Sequence, residues 1–312
     1  MWSNHAQQQD VWIGSDGKPY YFLSDYTLNG HHWFAIEGVN TIRYSKVPLT
    51  VSDSLAATLA EESAKAPGLP ASVPPPSIKI TRLKAPLKIS GDPEVWRKAG
   101  VPVSIIMTPE TARGGITGPA YSSLVIRLAY EGDNLYLQAI AFDDVITFHQ
   151  PIGMMYLQDG LEISINSFMQ GLKFNLGMVD GSATVKRDKF VAPDVTKLYT
   201  EAEVPHSITI YKDAADFPER KLVEDIYGVD LANSPVVVYE LKLPLNETGA
   251  FAPPIPADTV IVKEVAPGRS FRLGFFANDN DIPGSDIQGI IAFPATYGTF
   301  ETMDKSAEAI FE

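Results

Sequence analysis

From residue 79 onward the chain breaks repeatedly into short runs of apolar, β-branched and aromatic residues parted by Gly, Pro, Asn and Asp, a spacing that suits strands and little else. Ten such runs are predicted strands: Leu83–Ile89, Val103–Thr108, Ser123–Tyr130, Leu135–Asp143, Leu161–Asn166, Leu172–Val179, Ser207–Lys212, Val236–Leu243, Phe271–Asn278 and Gly289–Phe293. In the run Q-D-G-L-E-I-S-I-N from Gln158 to Asn166, Leu161, Ile163 and Ile165 fall on one side and Glu162, Ser164 and Asn166 on the other. This is the period-2 alternation of a half-buried strand, with a polar face free for a ligand. Even spacing of this kind predicts an all-β, antiparallel β-sandwich. A loop over Pro193–Ala202 and a short helix over Asp216–Ile226 complete the expectation.

A boundary precedes this region. The stretch A-P-G-L-P-A-S-V-P-P-P-S from Ala66 to Ser77 holds five prolines in twelve residues and reads as a semi-rigid spacer. Ser52 to Lys65 has a Ser cap and good helix formers, with Leu55 and Leu59 on one face. The first fifty residues carry nine aromatics, including Trp2, Trp12 and Trp33. Four short strands are expected among them, at Val11–Gly14, Pro19–Ser24, His32–Val39 and Thr41–Val47, as a small β-meander. The organisation is therefore an aromatic-rich β segment over 1–52, a helix and Pro-rich linker over 53–78, and the β-sandwich over 79–312.

Charge and composition narrow the function classes. With 45% hydrophobic residues in 312 the chain can bury a full core. A net charge of -13 argues against nucleic acid, whose phosphates call for clustered Lys and Arg. The basic stretch Lys79, Arg82, Lys84, Lys88, Arg97 and Lys98 reads as a solvated face. There is no cysteine, hence no disulfide, thiolate metal site or Cys nucleophile. No apolar run reaches the roughly 20 residues that span a bilayer, so no membrane partner is expected.

Oxygen ligands concentrate in one loop. Asn278, Asp279, Asn280 and Asp281, followed by Asp286, suit Ca²⁺ with its oxygen preference, and Asp279, Asp281 and Asp286 are the expected ligands of a structural calcium. Asp143-Asp144 is a second candidate. Motifs of nucleophilic, phosphate or zinc chemistry do not occur. Asp159 with Glu162 is one of many carboxylate pairs in a chain with 38 acidic residues, so no catalytic residue is assigned.

The order I89-S-G-D92, Trp96, D133-N-L-Y136-L, D143-D144, Q158-D159-G-L-E162-I, Y239-E-L-K-L-P-L245 and N278-D-N-D281 resembles family 9 carbohydrate-binding modules (CBM9) and the wider DOMON-like sandwich group over residues 79–312. The resemblance implies a non-catalytic module that binds a poly- or oligosaccharide as an accessory or C-terminal part of a secreted polysaccharide-degrading enzyme. It further implies an extracellular or periplasmic location and a monomer or part of a larger multidomain chain. Modules of that family place a stacking aromatic and a hydroxyl-binding carboxylate at the spacing of Tyr156 and Glu162. Lys173 falls where the family carries a basic donor, usually Arg, and Asn175 lies just beyond it. The second stacking aromatic is expected at Tyr297 or Phe300. The family's tryptophans are missing here, since Trp96 alone follows the linker and fits the core.

Two alternatives stand beside this one. The D-G-K-P-Y-Y-F run at Asp16 to Phe22, within 9–48, resembles a β-propeller blade, which would make the chain the C-terminal portion of a catalytic glycoside hydrolase or polysaccharide lyase. A haem-binding DOMON-like domain would use His149, Met154 or Met155 as axial ligands.

Overall fold

The computed structural model describes residues 9–13, 19–23, 76–107, 112–114, 122–165, 172–188, 197–245, 264–281, 289–294 and 306–312. The chain divides into two compact units, Met1–Pro74 and Pro75–Glu312. In the first, β1 (Gln9–Ile13) and β2 (Pro19–Leu23) pair antiparallel with Val11 opposite Tyr21. The strands expected at His32–Val39 and Thr41–Val47, and the helix expected over Ser52–Lys65, lie outside the described residues.

The second unit is built from strands β3 (Ser77–Arg82), β4 (Ile105–Met107), β5 (Ala112–Gly114), β6 (Ser122–Glu131), β7 (Asn134–Asp143), β8 (Gly160–Ile165), β9 (Leu172–Val179), β10 (Ser182–Asp188), β11 (Lys197–Tyr199), β12 (His206–Tyr211), β13 (Val236–Pro244), β14 (Ser270–Asp279), β15 (Gly289–Phe293) and β16 (Ala307–Phe311). Among the described residues two α-helices, α1 (Pro93–Lys98) and α2 (Arg220–Tyr227), accompany them.

The strands form two layers. Sheet I runs β11-β10-β9-β8-β14, with β16 along the first half of β14 and β15 along the second. Sheet II runs β6-β7-β13-β12, with β4 beside β6. Among the described residues pairing is antiparallel except at β3, which runs parallel to both β16 and β6 and so joins the two layers. Leu161, Ile163, Phe174, Leu273 and Phe275 of sheet I share one core with Leu124, Ile126, Leu128, Leu137, Tyr239 and Leu241 of sheet II. Each buried large side chain contributes about 1.5–3 kcal/mol.

Three strand expectations change. Leu83–Ile89 is not a strand; its Leu83, Leu87 and Ile89 pack on Trp96 from irregular backbone. The strand in this region is β3, which starts straight after the prolines. Strands β10, β11 and β16 have no counterpart among the predicted runs. Burial on β8 also differs from a half-buried strand, because Glu162 and Ser164 are covered along with the apolar side chains.

The far face of sheet II is closed by a helix and a polar network. Val125, Phe142 and Val238 pack against Phe217, Val223 and Leu231 around α2. Glu240 is fully buried on this face. One of its oxygens accepts from Trp96 Nε1 (2.8 Å) and Gln138 Nε2 (3.1 Å). The other accepts from the backbone N–H groups of Ser90 and Gly91 (2.7 Å each) and from Ser207 Oγ (3.3 Å). Gly91 is required there, since its φ is +74° and a Cβ would sit 1.9 Å from Thr209 Oγ1. Glu219 likewise holds Arg97 and Arg127, with Arg127 Nη2 at 2.6 Å. Part of the basic stretch is thus neutralised internally, and Lys79 pairs with Glu312 at 2.7 Å.

Candidate functional site

The outer face of sheet I carries the candidate site. Alternation places Glu162 on the side away from the core residues Leu161 and Ile163, and the register sets it beside Asn175 on β9 and Phe276 on β14. Lys173 Nζ lies 2.8 Å from Glu162 Oε2, and Asn278 Nδ2 donates to Glu162 Oε1 at 3.2 Å. Glu162, Lys173, Asn175 and Asn278 are all buried. This is an ion pair away from water, where breaking one half costs far more than the intact pair contributes.

Tyr156 reaches the same place from a 3₁₀ turn, Ile152–Leu157. Lys173 Nζ stands 5.9 Å from the Tyr156 ring centroid, within cation-π range, and Tyr156 itself is half-buried. The turn can lie on the sheet because of Gly177, where a Cβ would meet Gln158 Nε2 at 3.0 Å and Met155 Cε at 3.3 Å. Gln158, wholly buried, fastens it: its Nε2 donates to the Met178 carbonyl (2.9 Å), and its Oε1 accepts from the Gln150 N–H (2.9 Å). Lys186 Nζ adds a contact to the Ile152 carbonyl at 3.4 Å. Tyr156, Glu162, Lys173 and Asn175, chosen from sequence, are therefore gathered on one sheet face. Tyr297 and Phe300 lie outside the described residues.

The cluster holds the kinds of group that sugar recognition uses, an aromatic plane, a carboxylate, an ammonium and amides, with Tyr156 half-buried and the others covered. Asn278 belongs to the oxygen-rich run that the sequence assigns to calcium, and it lies within β14. Alternation turns it toward Glu162 instead, away from Asp279, and makes it a member of this polar cluster.

Comparison with known proteins returns structural likenesses at low identity. No family model matches the sequence, and no curated protein does. Among solved structures, a family 9 carbohydrate-binding module from Caldicellulosiruptor kristjanssonii in complex with cellotriose is similar at 12% identity. The match covers 75% of this chain and 93% of that one, with a TM-score of 0.41. The same description applies to a complex of a family 9 module from that organism with glucose, at 12% identity, covering 76% of this chain and 95% of that one, with a TM-score of 0.42. The site described above rests on its own side chains.

A second cluster lies at one end of β14. Carboxylates of Asp143, Asp144, Asp279 and Asp281 each offer an oxygen within 4.8 Å of the others. The two calcium candidates of the sequence, the Asp279–Asp281 loop and Asp143-Asp144, are thereby one place. Asp286 lies outside the described residues. Asp279 Oδ1 and Asp281 Oδ1 have no hydrogen-bond partner among the described residues. Asp159 stands behind them and is fully engaged, accepting from the Thr147 N–H through Oδ2 and from the Asn280 N–H (2.8 Å) through Oδ1.

The electrostatics of this cluster run against the ordinary behaviour of carboxylates. Burial pushes Asp159 up to about 8, with Asp279 and Asp281 adding to the shift and two backbone N–H groups opposing it. Asp279 is pushed up to about 7 by burial and then by Asp281 and Asp144. Asp143 is raised well above the usual range, first by burial and then by Asp159 and Asp279. An unfolded Asp releases its proton near pH ~4, while Asp279 and Asp159 hold theirs to about 7 and about 8, so the folded state binds more protons in between. Stability of the chelator-treated protein is expected to fall as pH rises from about 4 to about 8. Thermal unfolding in EDTA at several pH values should show the midpoint dropping by several degrees across that window, and Asp279→Asn should flatten the slope.

The three haem candidates differ in their surroundings. Met155 is buried beneath the turn beside Gly177, Met154 is exposed, and His149 Nε2 is 2.9 Å from Gln150 Nε2.

Proposed function

We propose that this chain is a carbohydrate-binding module whose site is the outer face of β8, β9 and β14. Tyr156 serves as the stacking platform, Glu162 as the acceptor for sugar hydroxyls, and Lys173 and Asn175 as their partners. The observation that carries this reading is the meeting of Tyr156 and Lys173 over Glu162, three residues from separate elements. Tyr297 or Phe300 would supply the facing aromatic. An accessory role in a secreted polysaccharide-degrading enzyme, outside the cell or in the periplasm, follows as the setting in which a non-catalytic sugar site is useful.

Affinity electrophoresis through gels cast with a broad set of soluble glycans tests the reading. At least one polysaccharide is expected to retard the protein, and Tyr156→Ala is expected to abolish most of the retardation while leaving the thermal midpoint near wild type. A stacking aromatic contributes about 0.5–1.5 kcal/mol beyond its buried area, enough to lower affinity severalfold or more. Unretarded migration in every gel would sink the proposal.

A further inference from the structure

The groups proposed to meet a sugar are covered in this structure. Glu162 is 5% exposed, Lys173 6% and Asn175 2%, and both Glu162 oxygens are already engaged, by Lys173 Nζ and Asn278 Nδ2. A hydroxyl cannot reach the carboxylate unless something moves. The turn Ile152–Leu157 lies over this face: a Cβ on Gly177 of β9 would meet Met155 Cε at 3.3 Å, and one on Gly160 of β8 would meet the Met155 carbonyl at 3.9 Å.

The turn is held unevenly. At its far end Asn280 Nδ2 donates to the Leu157 carbonyl at 2.6 Å, and Gln158 is bonded at both ends of its amide. Over residues 152–156, among the described residues, no backbone–backbone hydrogen bond runs to a strand; the Met154 N–H closes on the Pro151 carbonyl (2.7 Å) within the turn itself. Lys186 Nζ reaches the Ile152 carbonyl only at 3.4 Å, long for a charged donor. Ile152 and Met154 face solvent at 36% and 48% exposure, and Met155 is tucked under at 2%. Pro151 (φ −67°, ψ 159°) and Gln158 (φ −133°, ψ 177°) on either side are extended, and element ends of this kind absorb the backbone rotation of a hinge. A segment tied mainly by one buried side chain opens far more readily than a sandwich unfolds.

We infer that residues 152–156 are a lid, hinged at Pro151 and at the anchored end by Gln158 and caught by Met155, which lifts to admit a sugar to Glu162 and Lys173 and brings Tyr156 down on it. The lifting stands on the geometry of the turn; what it admits rests on the sugar reading. Only the open fraction binds, so the apparent affinity is lower than that of the uncovered site by that fraction.

The wild-type chain carries its own reporters, because peroxide converts methionine to its sulfoxide where the sulfur can be reached. Met155 and Met107 are both 2% exposed, Met107 lying in the sandwich core on β4. The full chain is treated with H₂O₂, and the sulfoxide at each methionine is followed by peptide mass spectrometry. Met155 is expected to oxidise more slowly than the exposed Met154 but roughly tenfold or more faster than Met107, as local opening requires. Gly177→Ala, whose Cβ presses on Met155, should speed Met155 severalfold and leave Met107 unchanged. Adding a glycan that retards the protein in electrophoresis should slow Met155 as the lid closes on the ring. Oxidation of Met155 as slow as that of Met107 would overturn the lid, and no acceleration in Gly177→Ala would overturn Met155 as its catch. Retardation by a glycan with Met155 oxidation unchanged would overturn the part of the lid in sugar binding. A protein that no glycan retards, but whose Met155 oxidises well ahead of Met107, would keep the lid and defeat the sugar reading alone.

Discussion

Glu240→Ala is expected to lower stability by about 3–5 kcal/mol, a large share of the roughly 5–15 kcal/mol of a typical domain. Every group facing this carboxylate is a donor: two backbone N–H groups, the Trp96 indole, the Gln138 amide and the Ser207 hydroxyl. Removing the acceptor leaves several buried donors without partners, and each costs more unpaired than it contributed paired. Glu240→Gln would not rescue the loss, because its own NH₂ would meet donors on one side. Urea unfolding of wild type and both variants checks this. A loss under about 1 kcal/mol in Glu240→Ala would mean that water replaces the carboxylate and that the network does not hold Trp96 and α1 to the sheet.

The second large effect separates structure from binding at Glu162. Glu162→Ala takes the carboxylate away from the buried Lys173 ammonium and is expected to cost about 3–5 kcal/mol. Glu162→Leu combined with Lys173→Met removes both charges at similar volume and should recover most of that stability, since a buried ion pair often does no better than apolar residues of its shape. Glycan affinity should remain lost in the double variant. A hydrogen bond to a charged group contributes about 1.5–3 kcal/mol, so loss of the acceptor alone lowers affinity tenfold or more. Thermal unfolding and calorimetric glycan titration of the single and double variants read the two effects apart. Full retention of affinity in the stable double variant would show that the pair is a packing device only.

Much of this is visible in the sequence. The alternation in Q-D-G-L-E-I-S-I-N sets Glu162 on the face away from the core, and the structure keeps it there. That this face is covered cannot be read from one strand, because the cover comes from the turn at Ile152–Leu157 settling over Gly177. The Asp143-Asp144 pair and the N-D-N-D run each stand out as hard-oxygen clusters, but their meeting depends on β7 and β14 ending at the same edge of the sandwich. The same run also misleads, since Asn278 and Asp279 alternate to opposite sides and only one of them belongs with the carboxylates. Strand β3 is hidden by the prolines before it, and its neighbour Leu83–Ile89 looks like a strand because it is apolar for another reason, its packing on Trp96. Glu240 carries a signal of its own: an acidic residue directly after the apolar run Val236–Tyr239 in the strand Val236–Pro244 is a buried acceptor awaiting donors.

The most direct test of the sugar site is amide chemical-shift mapping on ¹⁵N-labelled protein titrated with a glycan that retards it. Shifts are predicted to concentrate at residues 154–164, 173–177 and 276–278, around Tyr156, Glu162 and Lys173. Saturable shifts confined to another surface, with those three segments unmoved, would contradict the account.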